Sequence, residues 1–145
     1  MNTPNILDHN RVILCHFDSY STALVFARYG DSVLAPAPLP ESASAMTAPG
    51  DATEQHKPGA VLDAFVAHNN LDPTKLKLDD GFQAWLSSDG DPIRIHLVRF
   101  TTLDAPHEAL APSGGVFKPI SGMRGMPMTE LNLIRQVFDL IMGGG

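Results

Sequence analysis

Chemistry is first suggested by the stretch His16-Phe17-Asp18-Ser19-Tyr20-Ser21. An imidazole and a carboxylate two positions apart on an extended chain point to the same side, so Asp18 can orient His16 as a general base, or both can hold a metal. The stretch follows an apolar run that reads as a strand. In open sheets ligands gather beyond the carboxyl ends of strands, where Ser19 and the amides of a following helix would meet an anion. The competing reading gives Asp18 a structural task, capping that helix. Cys15 lies next to His16 and so faces away from it, which excludes a Cys-His nucleophile pair.

A second candidate is Gly122-Met123-Arg124-Gly125-Met126-Pro127-Met128. Three thioethers suit Cu(I), but no other ligand cluster accompanies them, and an adaptable apolar contact surface is the better expectation. Arg124, ahead of a helix, would meet an anionic ligand; as a solvated side chain it needs no partner. His9, His16, His56, His68, His96 and His107 never fall at i and i+4, so no metal site and no cofactor is expected. Neither a dinucleotide-binding glycine pattern nor a phosphate loop is present, and the Gly-x-Ser-x-Gly elbow is missing too.

Ten Lys and Arg face sixteen Asp and Glu, for a net charge of −6, and the basic residues are dispersed from Arg11 to Arg135. Binding that releases phosphate counterions needs clustered basic side chains, so nucleic acid is not expected as a partner, nor an anionic membrane surface. One cysteine excludes a disulfide scaffold. The first residues lack a basic start followed by an apolar stretch, and no window has the eighteen or more apolar residues of a membrane span. A soluble cytoplasmic chain is expected, with residues 1–145 forming one domain.

The elements that would position these residues follow from periodicity. Arg11–Phe17 is apolar without alternation and reads as a strand buried on both faces. For residues 21–29 a short helix ending at Gly30 is preferred, giving a β-α-β opening with a strand at 32–35. A hairpin, with Thr22–Arg28 as a strand, stays open because Val25, Phe26 and Tyr29 favour strands. Residues 36–58 are rich in Pro, Ala and Ser and read as a flexible insert. Beyond it lie a helix at Gly59–Asn69, extended runs at 75–78 and Phe82–Ser87, and a hairpin turning at Asp89-Gly90 into Ile93–Phe100. Residues 101–115 read as a loop and Val116–Ile120 as an edge strand, because Pro119 lacks an amide proton. A helix over Met128–Met142 ends the chain, with Glu130 near the positive end of its dipole.

The expected fold is therefore α+β: a mixed or mainly antiparallel sheet with a central hairpin and two or three packing helices. The order of hairpin, edge strand with Phe117-Lys118-Pro119-Ile120, and terminal helix resembles the C-terminal half of Nudix hydrolases. The glutamate-rich helix that holds magnesium in that family is absent, so neither residue nor activity is carried over. The expected role is a non-catalytic binding or assembly module, self-associating through the sheet edge or the terminal helix. The alternative is a small hydrolase or transferase using His16 and Asp18, with the insert as a lid. A site is expected where the first strand and the unit from Gly59 onward meet.

Overall fold

Successive residues of the first apolar run enter different layers, which is why the run is apolar throughout. In β1 (Asn10–Asp18), Val12 and Leu14 face one side of a sheet and Ile13 and Cys15 the other, all buried. The computed structural model describes residues 5–18, 20–35, 37–39, 43–46, 56–88 and 91–142.

β2 (Ala23–Arg28) returns antiparallel to β1, with Phe26 opposite Cys15. The preferred helix and the β-α-β opening are thus wrong, and the hairpin forms. Val25 and Phe26 pack well on a pleated surface, and nine residues are too few to cross back over a sheet. Gly30, at φ 63°, turns the chain between Tyr29 and Ser32, which exchange backbone hydrogen bonds. β3 (Leu34–Ala35) then pairs with the other half of β1, opposite Ile13 and Val12.

Part of the Pro/Ala/Ser-rich segment is also sheet rather than loop. β4 (Ser44–Ala45) extends the sheet alongside Leu86 and Ser87. Residues 47–55 of this segment lie outside the described residues. α1 (Pro58–Asn69) opens on proline, one residue before the expected start, and closes where Asn70 takes a left-handed φ of 54° and donates its N–H to the carbonyl of Val66.

β5 (Leu76–Ser88) and β6 (Asp91–Phe100) form the expected hairpin, whose turn at Asp89-Gly90 lies outside the described residues. The two extended runs expected before it are one strand with a bulge. Between the pairs Asp79–Leu97 and Ala84–Ile95, residues 80–83 stand opposite His96 alone. This odd surplus exchanges the faces: Leu76 and Leu78 pack on one side of the sheet, Phe82 and Leu86 on the other. The expected loop over 101–115 contains a helical turn, α2 (His107–Leu110). β7 (Val116–Pro119) is an edge strand, as its proline requires, and α3 (Met128–Met142) ends the described chain.

The sheet runs in the order β4-β5-β6-β1-β2-β7, with β3 beside β1, and among the described residues only β1 and β6 pair in parallel. The α+β expectation holds. α3 covers one face, seating Leu133, Ile134 and Val137 among Ile13, Phe26 and Ile95. α1 covers the other with Val61 and Phe65 against Val12, Leu14 and Val98. Burying a side chain as large as Phe65 stabilises the fold by about 1.5–3 kcal/mol. Met123 and Met126 join the α3 layer, so two of the three methionines expected at a contact surface are core, and Met128 is exposed. Among the described residues, no helix is long and apolar enough to cross a membrane.

Candidate functional site: a cleft between two helix ends

The tight turn at Gly30 sets Ser32 at the mouth of β3, facing the first turn of α3, and a cleft of about 860 Å³ opens beside this junction. Its floor is Tyr29, Ser32, Leu34 and Glu130. The last turn of α1 forms one end, with His68, Asn69 and Asn70; Pro127 and Thr129 at the start of α3 form the other. Ala37, Pro38, Leu39 and Ala43 make the outer wall. Arg11 anchors that wall from behind. Its buried guanidinium donates to the carbonyl of Pro38 at 3.4 Å and to those of Leu7 and Asn10 at 3.1 and 2.9 Å.

Glu130 is the charged group at the centre of this junction, and only 2% of its surface is exposed. The Val33 amide donates to Oε1 at 2.8 Å, and the Ser32 hydroxyl lies 3.0 Å from both oxygens. Ser32 Oγ in turn accepts from the Leu34 amide at 3.1 Å. Burial lifts the pKa of Glu130 above the usual carboxylate range, and the Val33 and Ser32 donors and the charge of Arg28 only partly oppose it. Tyr29 is likewise shifted by burial, up to about 12, so its phenol stays neutral. Volume, apolar walls and a carboxyl group of perturbed acidity coincide here, as they do in small-molecule sites.

Of the residues singled out from the sequence, His16 is buried in β1 and its Nε2 donates to the carbonyl of Thr102 at 2.8 Å. Asp18 is half-buried, and its Oδ1 accepts from the amides of Tyr20 and Ser21 at 2.9 and 3.4 Å, bonds that hold its pKa below the usual carboxylate range. The two share a strand face but bond to different partners, and neither lines the cleft. Thr102 lines a separate hollow of about 390 Å³ with Phe17, Lys77 and Arg99. Ser19 lies outside the described residues. Arg124 is exposed, and its carbonyl accepts from Arg28 at 3.0 Å. Among the described residues, no three His, Cys, Asp or Glu side chains are grouped to hold a metal.

No protein family matches the chain, Nudix hydrolases included, and no curated protein matches it. The site therefore rests on its own geometry. Sequence reading passed over its central residue, although a signal was present. Glu130, Leu133, Ile134 and Val137 follow the i, i+3, i+4, i+7 spacing of one helix face. An acid at the head of an otherwise apolar stripe must be buried, and a buried acid needs donors. That Ser32 and Val33 supply them depends on the β1–β2 hairpin.

Two histidines away from the cleft are structural. His96 Nε2 donates to Asn10 Oδ1 at 2.7 Å, because the Asn10 amide nitrogen is committed to the Ile6 carbonyl. Burial, with the charge of Arg94, pushes the pKa of His96 down to about 3. His56 packs edge-on against Trp85, with ring centroids 4.9 Å apart, and the Arg94 guanidinium lies over the same indole.

Proposed function

We propose that this domain is a binding module whose ligand is a small molecule held in the cleft between the end of α1 and the start of α3. The observation that carries this reading is the coincidence of an 860 Å³ apolar-walled space with the buried carboxyl group of Glu130. A cytoplasmic setting belongs to the same reading, on the acidic composition and single cysteine. Self-association has less support. The apolar stripe of α3 is spent on the sheet, and edge strand β7 carries Lys118 and Pro119, residues that blunt an edge.

The test is a chemically mixed fragment set added to the ¹⁵N- and methyl-labelled protein and followed by NMR. Shift changes are expected to cluster at Ala35, Asn69, Ala109 and Thr129. Changes confined to Thr101–Leu103 would refute the cleft and support instead a small hydrolase or transferase using His16 and Asp18, whose one structural support is the hollow beside Thr102. No clustering anywhere would remove the binding reading.

A further inference from the structure

Resting on the binding reading above, we propose that the cleft selects an organic cation, a ligand carrying an ammonium or amidinium group on an apolar, ring-sized body. The volume, about 860 Å³, lies within the range that small-molecule sites occupy, and the walls from Leu34, Leu39 and Pro112 suit an apolar body. The charge of the ligand follows from what lines the space. Asp31 and Glu130 are there, and no Lys or Arg is among the described lining residues. A phosphate or carboxylate would find no Lys or Arg among those residues and would stand against the carboxyl group of Glu130, Asp31 being ion-paired with Arg28 at 3.5 Å.

The two arginines behind the walls do not reverse this sign. Arg28 spends its donors on the carbonyls of Gly30, Gly122 and Arg124 and ion-pairs with Asp31 at 3.5 Å, and its charge opposes the burial of Glu130 only in part. Arg11 is committed to backbone carbonyls, Pro38 among them. Neither guanidinium is among the described groups that line the cavity.

The end of α1 adds to the negative side. Its ladder closes with the amides of Asn70 and Leu71 both directed to the Val66 carbonyl, so the later carbonyls of the last turn lie beyond the helical pattern. They form the negative end of a twelve-residue dipole, and His68 is the only basic residue in that turn. Glu130 has acceptor capacity left as well. One amide and one hydroxyl occupy it, whereas a carboxylate offers about four lone-pair sites.

Three probes with one indole body and different charge decide the matter: tryptamine, tryptophol and indole-3-acetate, titrated by protein-detected NMR. Tryptamine is expected to bind at the cleft at least about fivefold tighter than tryptophol, the worth of one screened charge contact, and indole-3-acetate weakest. The tryptamine preference should shrink in 0.5 M salt and in Glu130→Gln. If that variant does not fold, Asp31→Asn at the exposed rim provides the same comparison. Equal binding of tryptamine and tryptophol at the cleft, or preference for indole-3-acetate, overturns the cation inference and leaves the binding site standing. If none of the three binds, the charge of the mixed fragments found at the cleft decides: neutral or acidic fragments alone refute the cation inference, cationic ones uphold it. Silence from probes and fragments alike removes both.

Discussion

Replacing Glu130 by alanine and by glutamine separates its role as an acceptor from its role as a charge. In Glu130→Ala the amide of Val33, a residue with no exposed surface, loses the acceptor it now finds at 2.8 Å. Leaving a buried donor unpaired costs about 1–3 kcal/mol. The Ser32 hydroxyl loses its partner at 3.0 Å but borders the cleft and can turn toward water. Removal of a carboxyl group that is costly to bury offsets part of this, so the expected net loss is about 1–2 kcal/mol. With a urea slope of about 1–3 kcal/mol/M, the unfolding midpoint should fall by roughly 0.5–1 M.

Glu130→Gln keeps an oxygen for the Val33 amide and should stay within about 1 kcal/mol of the parent. Its profile against pH should differ. Burial raises the pKa of Glu130 in the folded protein, so the native state holds a proton that the unfolded chain releases. Parent stability therefore declines as pH rises from about 4.3, the ordinary glutamate value, toward the raised one, and levels off above it. The glutamine variant lacks this decline. A Glu130→Ala protein within about 0.5 kcal/mol of the parent, or superimposable pH profiles for parent and Gln variant, would refute the reasoning.

Three other perturbations test the packing of the sheet and of the cleft. His96, at a pKa of about 3, stays neutral in the fold while the unfolded chain takes up a proton below about 6.5; its contribution is intact above 6.5 and is lost on acidification, by up to about 1.4 kcal/mol per pH unit. Its ring resonances should not move down to pH 4, and His96→Gln should flatten that limb of the stability curve. Cys15 is buried and its thiol is pushed up to about 12, chiefly by burial, so alkylation at pH 8 should await unfolding. Gly115→Ala would place a Cβ 2.7 Å from the Tyr29 ring; the ring must shift, costing about 1–3 kcal/mol, and because Tyr29 lines the cleft the cleft resonances should move in NMR spectra.

The sheet-facing surfaces of α1 and α3 were legible in the sequence because each carries an apolar stripe with a proline at its head. β1 and β7 were legible for equally local reasons, an unbroken apolar run and an unavoidable missing donor at Pro119. Residues 21–29 misled because a glycine after a short amphipathic stretch closes a helix as naturally as it turns a hairpin, and only pairing with β1 decides. In β5, Leu76, Leu78, Phe82 and Leu86 all fall on even positions, which strict alternation would put on one face. The bulge opposite His96, invisible to periodicity, puts them on two. The cleft was least legible, since its walls come from six separate stretches of chain that only the fold assembles. One charged residue on an apolar stripe was its sole local trace.

The parallel pairing of β1 with β6 places Asn10 opposite Arg94, so the centre of the sheet closes across more than eighty residues of chain. The β5–β6 hairpin can form within microseconds of its own accord, but the β1 edge must wait for that long closure. Refolding should therefore be paced by the arrival of β1, and substitutions in its contact with β6 should slow folding more than substitutions in the hairpin. Closure entropy grows only logarithmically, about 0.6 kcal/mol for each doubling of length. By this term alone, even doubling the chain between β1 and β6 would cost less than about 1 kcal/mol.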